Sequence, residues 1–365
     1  MKKYFLQIIS GLIVFSSANA GNPDRAGGAG ATQLLVNPYS RSAGFGGVNT
    51  ASVRGVEAFQ FNIAGLAYTE STELVFARVN YLQGTGVNIN TLSFAQSIGT
   101  GGNVIGLTIS KWDFGNLPIT SESQPDGTLG TFQPQVMNIG LAYAKKFSNS
   151  ITGGMVLRYM SEGLTNLTSQ GVGIDAGVQY QTALNQKNKI KKEDFRFGIG
   201  VRNIGPDMSY TGSGLSFKTI VNQSSGAQRT TYMGSQAFNL PALVNIGAAY
   251  DMRLDAKGSE TYNHRLSPTG NFMYMAFSSN IVGLGVEYAY KESFMVRTAY
   301  SWQQNITTPN AFESQYYGVS GGFTIQVPVS KSGTLIGIDA GYTPTRVFNG
   351  IYNLGMRLVL GNKKS

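Results

Sequence analysis

The sequence predicts an all-β protein, a transmembrane antiparallel β-barrel of about 14 strands, preceded by a short N-terminal hatch segment. Three observations predict it. First, from about Thr72 to Leu360 the chain alternates with a two-residue rhythm in packets of roughly ten. Val172, Ile174, Ala176, Val178 and Tyr180 alternate with Gly173, Asp175, Gly177 and Gln179; Phe294, Val296, Thr298 and Tyr300 alternate with Met295, Arg297 and Ala299. Neighbouring side chains of a strand point to opposite faces, so each packet has one apolar face and one small or charged face. Second, the apolar face ends repeatedly in Tyr, as the girdles of a membrane barrel do, whereas a soluble sandwich would carry Lys, Glu and Thr on its other face. Third, only 13% of residues are charged, where about a quarter is usual for soluble proteins.

The elements follow in order. Lys2 and Lys3 precede an apolar run from Tyr4 to Phe15, and Ala18-Asn19-Ala20 fits a small-x-small cleavage site, so residues 1–20 are expected to be a secretory signal peptide. No later stretch reaches the ~18 consecutive apolar residues of a spanning helix, so a membrane role requires closed strands. Residues 21–70 do not alternate. A short helix or helical turn is expected within Ala31 to Arg41, ended by Pro38, and is followed by the glycines 44, 46 and 47. Phe45, Phe59, Phe61 and Leu66 need burial, which favours a hatch inside the barrel over a mobile periplasmic tail. Residues 71–365 form the barrel.

Strands are expected at 72–81, 88–98, 103–113, 135–146, 150–161, 170–182, 194–204, 241–253, 271–279, 281–290, 293–302, 315–327, 334–344 and 350–361. An even number returns both termini to the periplasm. Gly99–Gly102, Phe147–Ser150 and Lys291–Ser293 read as tight turns, and 114–134, 205–240 and 303–314 as long outer loops. The polar stretches 183–193 and 254–270 fall on the short-turn side in this count, and their side depends on the strand count being right.

Charge and residue usage exclude several functions. The formal charge of +9 becomes +7 once Lys2 and Lys3 are removed. For an exported protein the counter-charge is outer-membrane lipid or lipopolysaccharide, not nucleic acid, and the lysines at 187–192 read first as a solvated turn. No Cys is present, which removes disulfides, lipidation after the signal and thiolate chemistry. His264 is the single imidazole, beside Asn263 and Arg265, and no Gly-x-Ser-x-Gly elbow occurs. No catalytic residue, cofactor or metal site is expected, and the protein does not read as an enzyme.

Two sets of residues remain as candidates. Arg158, Asp175, Arg196, Arg202, Glu287, Arg297, Asp339 and Arg357 share the face opposite the lipid pattern. They would either line a conduction path or form a salt-bridged filling, and mixed signs favour the filling. In the loops, Phe114, Leu117, Ile119, Phe132, Leu215 and Phe217 are apolar residues of the kind that mark partner contacts or a loop folded over the barrel.

A family resemblance adds to this reading. Gly21-Asn22-Pro23-Asp24-Arg25-Ala26-Gly27, Arg41-Ser42-Ala43-Gly44-Phe45-Gly46-Gly47 and Asn49-Thr50-Ala51-Ser52-Val53-Arg54-Gly55 resemble the opening of the PorV/PorQ family. Asn62-Ile63-Ala64-Gly65-Leu66-Ala67 continues the match, and so, less specifically, do Gly130–Gln135, Asn138–Tyr143 and Gly198–Pro206. Long-chain fatty-acid transporters of the FadL type carry Asn-Pro-Ala-Gly-Leu at the corresponding place; Ile63 replaces that Pro, which counts against transport. The resemblance implies a FadL-like barrel of the type IX secretion system. Such a protein docks beside a large outer-membrane translocon barrel, receives secreted proteins bearing a C-terminal signal domain, and carries them to a cell-surface attachment complex. The alternative is a FadL-type channel for small hydrophobic solutes, which predicts an apolar cavity in the lumen and a gap through the wall.

Overall fold

The computed structural model describes residues 25–99, 101–127, 129–184, 194–222, 227–256, 262–304, 306, 316–330 and 333–361. The expected signal peptide, the lysine cluster at 187–192 and residues 307–314 of the expected outer loop lie outside the described residues.

Fourteen antiparallel strands close into a cylinder. They are β1 (Thr72–Asn80), β2 (Asn88–Ile98), β3 (Asn103–Asp113), β4 (Gln135–Lys146), β5 (Ile151–Leu164), β6 (Leu167–Thr182) and β7 (Phe195–Ile204), then β8 (Leu243–Tyr250), β9 (His264–Met275), β10 (Ile281–Tyr290), β11 (Phe294–Gln303), β12 (Val319–Pro328), β13 (Leu335–Thr343) and β14 (Ile351–Leu360). Each pairs with the next in sequence. β14 pairs back onto β1 from Thr72↔Leu360 to Asn80↔Tyr352, so the sheet has no free edge in the bilayer.

The pattern is inside out relative to a soluble protein. On β14, Leu354 is 61% exposed and Met356 60%, while Asn353 and Gly355, which alternate with them, and the β12 lumen residue Thr324 are buried. Only acyl chains make that arrangement favourable. Tyr143, Tyr180, Tyr290 and Phe294 ring one end of the apolar belt; Tyr274, Tyr300, Trp302, Tyr342 and Tyr352 ring the other. The first end carries the start of β1, the end of β14 and the tight turns 99–102, 147–150 and 291–293, which makes it periplasmic. Strand order therefore puts the strand ends Thr182 and Phe195, and Tyr250 and His264, on the periplasmic side.

Three sequence expectations change. The ninth strand is His264–Met275, not 271–279, so 264–270 belongs to the wall and not to an insertion. Pro268 hides it, because proline argues against a strand. The β8 ladder stops at Ala249↔Thr269 and resumes at Met252↔Leu266, so Pro268 stands where no ladder bond is required. β12 starts at Val319, not 315. β5 and β6 extend until only Thr165 and Asn166 join them, with Thr165 in the left-handed region at φ 47°. The helical turn expected before Pro38 is the 3-10 turn Thr32–Leu35, and an α-helix at Ser40–Gly44 follows that proline.

Residues 25–70 fold inside the cylinder through five short helical turns ending at Tyr68. Tyr39, Phe59, Phe61 and Leu66 are buried against Val75, Ala95, Val104, Ala142 and Val156, so the hydrophobic core lies between this segment and the inner wall. Each large side chain so buried contributes about 1.5–3 kcal/mol. Wall glycines make the approach possible. A Cβ added at Gly341 would lie 2.6 Å from the Ser40 carbonyl oxygen, and one at Gly200 would lie 2.7 Å from that of Phe61.

Asn62 pins the segment. Its Nδ2 donates to the carbonyls of Thr50 (3.2 Å) and Val178 (3.0 Å), and its Oδ1 accepts from the Ala64 amide. Asn62→Ala leaves these buried groups without partners and is expected to cost about 1–3 kcal/mol. The check is a lower midpoint for loss of the compact, heat-modifiable form on SDS gels.

Candidate functional site

The lumen is built from alternate residues of the wall. Because β-strands reverse face every residue, one inward charge per strand meets its neighbour across the ladder. Glu287 (β10) accepts from Arg297 Nε of β11 at 3.0 Å and from Arg265 of β9 at 2.9 Å. Arg297 donates onward to Thr324 Oγ1 at 2.7 Å; Thr324 donates to Asp339, which accepts from Arg357 at 2.9 Å. In the other direction Arg265 reaches Asp251 at 3.6 Å, and Asp251 pairs with Arg196. A continuous polar belt thus runs from β7 to β14. Arg41 of the N-terminal segment approaches Glu287 at 3.4 Å and ties the segment to the belt.

The opposite wall holds the segment directly. Arg158 pairs with Asp175 and donates to the Phe59 carbonyl, while Arg202 donates to the Leu34 carbonyl at 3.0 Å. Within the segment, Glu57 accepts from the Ser42 amide (3.0 Å) and hydroxyl (2.6 Å). The structure therefore brings the eight inward charges into bonds with one another, with Asp251 and Arg265, or with the segment. Arg265 escapes sequence reasoning because Pro268 obscures the strand start beside it, and Asp251 because it lies just past the end of β8.

Space inside is small. A cavity of about 30 Å³ lies between the segment and β2–β5, lined by Tyr39, Phe59, Thr108, Trp112, Asn138 and Arg158. That is room for about two waters. A larger apolar groove, about 740 Å³, is on the outer face, walled by Phe294, Val296, Phe323, Ile325, Tyr342 and Leu354. Its floor is Gly321, Gly322, Ala340 and Gly341, and an added Cβ at Gly44 of the segment would sit 2.9 Å from the Gly322 Cα. One backbone thickness separates the groove from the segment.

Apolar side chains also stand on the extracellular rim. Leu117, Ile119 and Phe217 are exposed; Phe114, Phe132 and Leu215 are partly covered, Phe114 by stacking on Trp112 at 5.7 Å. The 114–134 loop forms a small hairpin, Leu117–Pro118 with Thr131–Phe132. The 205–242 connection raises a two-stranded ribbon, Ser216–Asn222 with Ala227–Tyr232, which places Ile220, Tyr232 and Met233 in solvent. At its base Met208 and Phe238 bridge each other and close over Leu34, Met160 and Leu240. Tyr210 donates to Glu162 there; burial, then that carboxylate, pushes its hydroxyl up to about 12. His264 is half-buried, with Nδ1 2.6 Å from the Tyr288 hydroxyl. No cluster of three metal-ligating residues occurs among the described residues.

No family model and no curated protein sequence matches the chain. Solved structures do. The TodX deltaS2S3 mutant monoaromatic hydrocarbon channel is 14% identical with a TM-score of 0.51, over 89% of this chain and 99% of that one. A Pseudomonas aeruginosa FadL homologue is 10% identical with a TM-score of 0.49, over 88% and 97%. The KdgM porin is 7% identical with a TM-score of 0.32, over 78% and 97%. The chain has the FadL-like outer-membrane β-barrel fold.

Proposed function

We propose that this chain is a non-enzymatic component of type IX protein export, binding secreted proteins at its extracellular rim and passing them to a surface attachment complex. One observation carries the rim part of this reading: residues 25–70 occupy the lumen and are bonded to both halves of the wall, through Arg41–Glu287 on one and Asn62, Arg158 and Arg202 on the other. Apolar surface beyond the membrane belt is then found on the loops, at Leu117, Ile119, Phe217, Ile220 and Tyr232. The N-terminal residue matches to the PorV/PorQ family supply the secretion system. A large translocon barrel and cargo with a C-terminal signal domain are its proposed partners, with lipopolysaccharide around it.

The second reading is a FadL-type channel for small hydrophobic solutes, and the fold comparison favours it over the first, since the likeness is to a monoaromatic hydrocarbon channel. It requires the segment to move, because the cavity beside it is about 30 Å³.

A lock separates the two. An added Cβ at Gly355 lies 3.3 Å from the Ser40 Cβ, close to the ~3.5 Å lower bound for a disulfide. Ser40→Cys with Gly355→Cys introduces the only cysteines in the chain. Under the rim reading the oxidised protein captures cargo as the reduced one does and gives no sustained current in planar bilayers. Toluene or fatty-acid uptake that is lost on oxidation and regained on reduction would establish the channel instead.

A further inference from the structure

We infer that the ribbon Ser216–Asn222/Ala227–Tyr232 accepts an extended, acidic segment of a partner protein, which joins it as a third strand. The inference deepens the rim-binding reading and rests on it.

The backbone supplies the first ground. Ser216↔Tyr232, Phe217↔Thr231, Lys218↔Thr230 and Thr219↔Arg229 are opposite one another, and the Met233 amide donates to Leu215 across the next pair. In an antiparallel ladder hydrogen-bonded and non-bonded pairs alternate. Phe217/Thr231 and Thr219/Arg229 are therefore bonded pairs. Lys218 and Thr230 turn their amides and carbonyls outward, one on each edge. No third strand meets either edge among the described residues. A two-stranded ribbon is marginal in water by itself, and an open edge is a template for an incoming strand.

Side chains supply the second. Ser216, Lys218, Ile220, Thr230 and Tyr232 share one face; Phe217, Thr219, Arg229 and Thr231 share the other. Each face thus joins one cation to exposed apolar surface, with Phe217 45%, Ile220 57% and Tyr232 56% exposed. From Met208 to Tyr250 the sequence contains no Asp or Glu, so no carboxylate of the loop neutralises Lys218 or Arg229. An added strand alternating apolar and acidic residues matches both faces, and one alternating apolar and basic residues is repelled.

The test uses the full mature protein in detergent micelles and two capped decapeptides, one alternating Val and Glu, the other Val and Lys. The Val/Glu peptide is expected to bind at least about tenfold tighter. Lys218→Glu with Arg229→Glu should invert that preference. Lys218→Pro with Thr230→Pro removes one outward amide from each edge and no ladder bond, and should abolish binding; Lys218→Ala with Thr230→Ala should retain part of it. Equal binding of the two peptides, no binding of Val/Glu, or binding indifferent to the proline pair would overturn strand addition. Tight binding of lipopolysaccharide vesicles with no peptide preference would overturn it in favour of an anionic-lipid contact. If cargo capture is lost without residues 213–233 while the peptide fails to bind, strand addition falls and the rim reading stands. If capture survives that loss, the rim reading itself falls.

Discussion

Glu287→Leu is expected to lower the unfolding free energy of the barrel by about 3–5 kcal/mol. Glu287 is 2% exposed and holds Arg297 and Arg265, with Arg41 at 3.4 Å. The two neighbours differ in what they retain. Arg265 keeps Asp251 and Glu292, whereas the Arg297 side chain, wholly buried, keeps its bond to Thr324 and its place over the Phe45 ring at 5.6 Å, neither of which is a counter-charge. A buried cation stripped of its counter-charge is what makes the loss large. Adding Arg297→Met should recover a good part of it, since removing both partners leaves no orphaned charge. Urea unfolding of the protein refolded into lipid vesicles measures both variants against the parent. A double variant no more stable than Glu287→Leu would mean that the belt does not depend on this pair.

Removing residues 213–233 should abolish cargo capture while the barrel still inserts. The boundaries matter. A cut from 207 to 238 would also remove Met208, Tyr210 and Phe238, which cover the N-terminal segment and bond to Glu162, and would confuse loss of binding with loss of folding. Gly212 and Gly234 flank the shorter cut, and the Tyr210 amide lies 3.3 Å from Ser235 Oγ, so the ends can be rejoined without strain. Burial of Leu215, Phe217, Ile220 and Tyr232 at a partner would contribute about 1.5–3 kcal/mol for each side chain fully covered, which is ample for loss of detectable capture. Co-purification of secreted cargo with the membrane-inserted variant is the measurement. Normal capture would refute the rim assignment.

The wall was legible because its rule is local. A strand such as Val172–Tyr180 shows its two faces in nine consecutive letters, and the fourteen segments follow from that rhythm alone. Where the outward face weakens the rule fails, as at Leu266, Pro268 and Gly270, and the strand was placed seven residues late. The inward charges were legible for the same reason, since parity assigns Arg158, Asp175, Glu287 and Arg297 to one side. Their partners were not. Asp251 lies just past the end of β8, and Arg41 comes from nearly 250 residues away, so only the closed cylinder brings them together. The ribbon was read as loop because Ser216, Thr219, Gln228, Thr230 and Thr231 of its two strands fall on both faces, which leaves little alternation to see.

The seam between β1 and β14 has a consequence for biogenesis. The first strand of the wall waits for the last, so the container cannot be shut until its whole polypeptide has arrived. Residues 25–70 precede that first strand, and from Leu34 to Ala67 they end up packed against the inner wall. The contents must be loaded while the vessel is still an open trough, and whatever machinery zips the final edge also decides that they stay.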